Sequence, residues 1–182
     1  AMDMITVGID VSKDRLDVAV RPSGEVFAIE RRAAGLDELM VRLRALGPQL
    51  VALEATGGYE TIAAAALACA GLPVVIVNPT MPIGPGDDLL TPPSRMILGF
   101  LNGETPAYLD CEFNLVDARD VAAGQILAAE RGRVGERYIL GNVNLHLGAL
   151  LAELQRLTGI AMPRTRVPYP LALVSAVVSE AV

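Results

Sequence analysis

Two carboxylates in this chain of 182 residues stand where a carboxylate costs energy. Asp10 interrupts the apolar run VGIDVS, and Glu54 closes the apolar run VALE just before ATGGY. Burying an ionised acid in a sheet costs several kcal/mol unless a cation or hydrogen bonds compensate it, so both positions need a reason. A hard divalent ion such as Mg²⁺ takes oxygen ligands of this kind, and paired ions clamp a phosphoryl centre during in-line attack. The other reading is that each acid caps a loop or pairs with an arginine. The residue types alone leave both open.

The elements that must position the two acids follow from periodicity. Residues 5–11 and 16–20 carry strand patterns separated by a polar turn, and residues 26–31 form a third strand after RPSGE, which predicts an antiparallel meander. Leu36, Leu39, Met40, Leu43 and Leu46 then recur on one helical face, and Gly47-Pro48 stops that helix. A short strand at 50–54, an Ala-rich helix at 59–70 and a β-branched strand at 73–77 complete the order βββαβαβ. In that order the first and fourth strands are neighbours, which brings Asp10 beside Glu54.

After Asn78 the texture changes. MPIGPGDDLLTPPS has no periodicity and reads as a Gly/Pro loop of the length that carries function or separates domains, so the chain divides into residues 1–80 and 81–182. Helical patterns return at 94–102, 117–131 and 145–157, with strands at 107–109 and 137–140. Asn144 is placed to cap the last of these helices and Gly159 to close it. The apolar pattern from residue 168 to the end is expected to pack on a partner segment beyond Val182. The fold class is therefore α/β.

Composition narrows the function classes. A hydrophobic fraction of 52% with 20% charged residues suits a globular core. The net charge of -6, with both halves acidic, offers no field to attract DNA or RNA. Residues 1–10 carry no signal-peptide pattern, no apolar run reaches membrane length, and Cys69 and Cys111 lack metal-ligand spacing, so a cytoplasmic chain with reduced thiols, no signal peptide and no membrane partner is expected.

GIDVSKDRLDVAV, LEATGGYE and GLPVVIVNP, in this order and spacing, resemble the N-terminal domain of DEDD-type transposases of bacterial insertion sequences, which have a RuvC-like RNase H fold. The resemblance covers residues 4–79. It implies an RNase H-like first half with Asp10 and Glu54 as the first two carboxylates of a catalytic metal set, Mg²⁺ as the ion, and Ser12, Lys13, Thr56, Gly57, Gly58 and Tyr59 lining the site. It also implies DNA and a guide RNA as partners. The basic stretch with the family's remaining acids is absent: Asn78 leads into PTMPIGPGDD, and Asp87 and Asp88 are adjacent in a loop rather than at helical spacing.

From Leu72 onward the residues resemble a different family. VVIVNPTMPIGPGD, FLNGETPAYLD and NLVDARDVAAGQILAAERGRVGERYILG are similar to the C-terminal part of NAD-dependent sugar epimerases and reductases, the extended short-chain dehydrogenases, and within them the hopanoid-associated epimerase group. That resemblance covers residues 72–182 and implies an α+β substrate-domain fragment. It places Asn78 and Pro79 beside a nicotinamide, and Ile83, Gly84, Pro85 and Gly86 along a substrate cleft. Residues 114–120 would form the turn into a sheet-covering helix.

The NAD chemistry lacks its main parts in the sequence. No Gly-x-Gly-x-x-Gly turn exists to let backbone approach a pyrophosphate, and Lys13, the only lysine, precedes every tyrosine, so no tyrosine is followed four residues later by a lysine. Asp117 and Asp120 read as acids at a helix N-terminus, His146 as an isolated helix-surface residue, and Arg131, Arg133 and Arg137 as a solvated face. Three identities remain: a metal-dependent recombinase domain, a nucleotide-sugar or NAD-binding module, and a fusion of the two families without catalysis of its own. The fusion is the preferred expectation. The unmatched apolar surface of such a fusion predicts a homo-oligomer.

Overall fold

The structure, a computed structural model, describes residues 4–173. The first part of the chain contains β1 (Thr6–Val11), β2 (Arg15–Arg21), β3 (Val26–Glu30), α1 (Ala33–Leu46), β4 (Leu50–Glu54), α2 (Glu60–Cys69) and β5 (Val74–Pro79). Then follow β6 (Met81–Ile83), α3 (Pro92–Leu101), β7 (Ala107–Tyr108), β8 (Glu112–Asp117) and α4 (Ala118–Arg131). The last elements are β9 (Arg137–Leu140), β10 (Val143–His146), α5 (Leu147–Thr158) and β11 (Thr165–Arg166). The chain separates into two compact units, residues Ala1–Thr80 with Arg119–Leu140, and Met81–Ala118 with Gly141–Val182. The segment Arg119–Leu140 thus belongs with the first unit, although it follows residue 80 in sequence.

The first unit is built on a six-stranded sheet of order β3-β2-β1-β4-β5-β9. β1, β2 and β3 pair antiparallel, whereas β1, β4, β5 and β9 run parallel. Alternation in β1 and β2 sends Val7, Ile9, Val11, Leu16, Val18 and Val20 to one face, where α1 and α2 meet them with Leu39, Leu43 and Leu67. Gly35 lets α1 lie on β3: a Cβ there would overlap the Glu30 carbonyl oxygen. The opposite face carries Leu50, Ala52, Val75 and Val77, all buried, and Ala128 of α4 packs on them. Gly132, just past α4, comes so close to β5 that a Cβ would stand 2.9 Å from Val75 Cγ1.

The second unit has a three-stranded sheet of order β10-β8-β6 and a two-stranded pair β11-β7. Phe100, Tyr108, Leu115, Leu147, Leu150, Leu151 and Met162 form its core. Several sequence expectations change here. The aperiodic stretch after Asn78 is not all loop, because residues 81–83 form β6 and pair parallel with β8. α3 starts at Pro92, two residues before Ser94, since Pro92 and Pro93 fit the first turn, where no N–H is required. Asn144 is not a helix cap: it lies in β10 opposite Asn114, whose Nδ2 donates to Asn144 Oδ1 at 2.7 Å. His146 ends β10 and precedes α5 instead of lying on a helix surface. Residues 112–117 form a strand, so the turn expected over 114–120 reduces to the step from Asp117 to Ala118. Gly159 closes α5 in the left-handed conformation at φ 72°. The apolar pattern at the C-terminus lies, from residue 174 on, outside the described residues.

Candidate functional site

Register alone puts acids together in the first unit. In the β1–β4 pairing Ile9 lies opposite Leu53, so the next residues, Asp10 near the end of β1 and Glu54 at the end of β4, stand on the same face of adjacent parallel strands. In the β1–β2 hairpin Asp10 lies opposite Asp17. Three carboxylates therefore face one side across β2, β1 and β4. They border a concave pocket of about 420 Å³ between that sheet face and α4. Gly8, Ala19 and Ala52 form a small-residue part of its floor, and Gln125, Ile126 and Ala129 of α4 form a wall.

The electrostatics follow from this crowding. Burial pushes Glu54 up to about 7, the charge on Asp10 adds to the rise, and a hydrogen bond from Gln125 opposes it. Asp10 is also raised, first by partial burial and then by the charge of Asp17, against smaller lowering from the Val11 backbone and Arg15. Asp17 itself pairs with Arg15 at 2.9 Å. Gln125 Nε2 donates to Glu54 Oε2. Among the described residues no group of three or more His, Cys, Asp or Glu is placed to hold a metal ion. With Asp17 paired to Arg15, the two remaining carboxylates fall short of the roughly six oxygen ligands of a resident divalent site.

The other residues singled out in the sequence are accounted for individually. Ser12 Oγ donates to the Arg15 carbonyl at 2.9 Å, and the Lys13 carbonyl accepts from Arg31 Nε at 2.6 Å. Gly57 and Gly58 take positive φ values of 59° and 88° to turn β4 into α2, which sets Tyr59 4.9 Å below the Arg31 guanidinium. None of these five, nor Thr56, lines the pocket. Asn78 and Pro79 end β5, where Asn78 Oδ1 accepts from Arg137 Nη1 at 3.3 Å and Pro79 lies opposite Leu140. In the second unit Ile83 ends β6, and Gly84 starts the loop with Gly86 at φ 86°; a Cβ on Gly84 would stand 2.9 Å from Ala118 Cβ. Pro85 lies between them. Asp87 lies in the loop before α3: its Oδ2 accepts from Thr91 N at 2.8 Å and Thr91 Oγ1 at 2.6 Å, and bonds to Ser94 and Thr91 hold its carboxyl below the usual range. Asp120 stands in the first turn of α4.

Two residues of the site were missed by sequence reasoning. Asp17 was legible, because counting outward from the turn at 12–14 puts it opposite Asp10. Gln125 was not, since nothing local in VAAGQILAAE says which sheet that helix covers.

A buried acid stands at the next turn of the chain. Glu60 is 5% exposed, its Oε2 has no hydrogen-bond partner, and Arg137 Nη2 lies 3.5 Å from its Oε1.

Residues 7–82 match the model of a DEDD-type transposase family. The chain is also 47% identical over 116 residues to a Synechocystis protein assigned as a dihydroflavonol 4-reductase, a match covering 62% of this chain and 34% of that protein. Among solved structures, gox2253 shares 30% identity with a TM-score of 0.68, covering 81% of this chain and 56% of the other. PA4631, a nucleoside-diphosphate-sugar epimerase from Pseudomonas aeruginosa, shares the fold at 23% identity and a TM-score of 0.66, covering 81% of this chain and 59% of the other. The chain spans about a third of the length of the curated relative and somewhat over half of the solved ones. Residues 7–82 are thus similar to a transposase family, and the chain is also similar to a reductase, within one α/β molecule.

Proposed function

We propose that the chain is a fusion in which an RNase H-like transposase domain, residues 1–80, is joined to the C-terminal fragment of an extended short-chain dehydrogenase, and that neither parent reaction is complete in it. The observation that carries this reading is the juxtaposition of Asp10 and Glu54 on adjacent parallel strands beneath α4, a helix from the reductase-like part. The sheet order β3-β2-β1-β4-β5 supports an RNase H-like arrangement for the first half. Strand transfer by paired metal ions needs more carboxylates than this pair. Hydride transfer needs a glycine-rich turn and a Tyr-Lys pair, and the sequence has neither.

A second reading, a nucleotide-sugar or NAD-binding protein, draws on the parallel run β4-β5-β9 and on the fold shared with the epimerase. One pair of measurements tests both. Supercoiled DNA with Mn²⁺ should stay uncut, and millimolar NAD⁺ or UDP-sugar should leave the melting temperature unchanged. Cleavage that disappears in Asp10→Asn overturns the first reading. A ligand at about 100 times its dissociation constant would add about 2.7 kcal/mol, so a clear rise in melting temperature would favour the second.

A further inference from the structure

The pocket beside α4 is a trough whose shape follows from strand register. Gly8 lies opposite Ala19 in β2 and Ala52 in β4, so one row of the sheet carries only small side chains across three neighbouring strands. A Cβ on Gly8 would meet no atom within 4 Å, so the space above the row is empty. Glycine weakens a strand interior, and the usual local reasons for it fail here. The β1–β2 register runs unbroken through Gly8, which excludes a bulge, and no close neighbour forbids a side chain. Approach of another molecule to the backbone is the reason that remains. Ile126 and Ala129 of α4 wall the trough, and its volume of about 420 Å³ is that of a small-molecule site. Asp10, Asp17 and Glu54 stand two residues along the same face, about 7 Å from the row, and close one end. Arg21 lies at the other end, about 13 Å from the acids.

We propose that the trough binds an amphipathic organic amine, with its ammonium between Asp10 and Glu54 and its apolar chain over Ala19, Gly8 and Ala52. This stands on the chain's own cavity and on neither parent reaction. A divalent ion needs roughly six oxygen ligands, whereas an ammonium has three N–H donors to place, which two carboxylates can accept. Gln125 occupies one position on Glu54 Oε2, and Arg15 pairs with Asp17, so acceptors remain on Asp10 and Glu54. A positive charge there offsets the repulsion that helps to raise both carboxyls. The apolar chain adds affinity of its own, about fourfold for each CH₂ taken out of water.

The test is calorimetric titration of the whole chain with n-hexylamine at pH 8, where Glu54 is mostly ionised. 1-Hexanol keeps the chain without the charge, and methylamine keeps the charge without the chain. Gly8→Val fills the trough and leaves both acids in place, and Asp10→Asn removes one charge; circular dichroism checks that each is folded. Ala19→Leu fills the same space from β2 and replaces Gly8→Val if that variant does not fold. Hexylamine should bind on the order of tenfold more tightly than either analogue, and filling the trough or neutralising Asp10 should each weaken it about tenfold or more. The proposal is overturned if hexylamine does not bind at millimolar concentration, if it binds the variants as it binds the parent, or if either analogue binds equally well.

Discussion

Glu54 makes the stability of the first unit depend on pH in a direction opposite to that of an ordinary ion-paired acid. Its carboxyl is raised from 4.5 to about 7 in the folded chain by burial, with the charge of Asp10 as the second cause. Between those two values the folded state holds more protons than the unfolded state, so stability must fall as pH rises. The stabilisation is fully present below 4.5 and is lost as pH passes through about 7. The whole difference corresponds to about 3.4 kcal/mol at 1.36 kcal/mol per tenfold change in proton affinity. Water reaches the half-buried group, and screening reduces the effect to roughly 1.5 kcal/mol. For a chain of this length that is about 3–6 °C in melting temperature. Urea unfolding at pH 5, 6, 7 and 8, on the parent and on Glu54→Gln, measures it. The amide keeps the size of the side chain and still accepts from Gln125, but it does not titrate. Groups away from the site, such as Asp87 and Glu153 with their lowered values, titrate alike in both proteins and cancel in the comparison. Glu54→Gln should lose most of the decline and be the more stable protein at pH 8 by roughly 1.5 kcal/mol. If it declines as steeply as the parent, or if the parent gains stability from pH 5 to pH 8, the argument from burial is wrong.

Two further substitutions probe the packing that holds the site. Gly35→Ala should destabilise by about 1–3 kcal/mol in chemical denaturation, although alanine is the better helix former, because the new Cβ overlaps the Glu30 carbonyl oxygen and meets Ile29 Cγ2 at 2.9 Å; a neutral or stabilising result would mean that α1 does not approach β3 as described. Arg137→Met should cost about 1–2 kcal/mol, less than for a fully buried pair because Arg137 is half exposed, by leaving the Glu60 carboxylate alone in the interior. Adding Glu60→Gln should restore part of that loss, and a double-mutant cycle with no coupling would show that the two groups do not interact.

The first half of the fold was legible because its information is local. Alternation in residues 6–11 and 15–21, the i, i+3, i+4 spacing from Leu36 to Leu43 and the glycine stop at residue 47 each fix an element without reference to distant chain. The sheet β10-β8-β6 escaped because its strands are three to six residues long and are defined by partners far off in sequence. Met81-Pro82-Ile83 carries no strand signal of its own, and Asn144 looks like a cap until its pairing with Asn114 is known. For the site, Asp10 and Glu54 were found because an acid in an apolar strand is a conflict visible in one dimension. Gln125 presents no such conflict. Its role exists only once α4 lies on β4 and β5.

That placement also bears on why the proposed fusion folds. The face of the sheet formed by Leu50, Val75 and Val77 needs a cover, since burying each such side chain is worth roughly 1.5–3 kcal/mol. Three of them together match the net stability of a whole small domain, so residues 1–80 with that face open to water would be marginal at best. The reductase-like segment supplies what is missing in two ways. β9 extends the sheet by pairing parallel with β5, with Ile76 opposite Arg137 and Pro79 opposite Leu140. α4 then reaches β9 through a short turn, in which Gly135 N donates to the Val74 carbonyl and Arg133 N to Tyr138 Oη. β5 is the strand that both family resemblances share, and its β-branched face accepts a parallel neighbour and a covering helix whichever family provides them. The join is therefore tolerated by the core through a strand whose chemistry is generic. Glu54 and Asp10 lie on the same face one and two strands away, and the helix that completes the core there brings Gln125 onto Glu54.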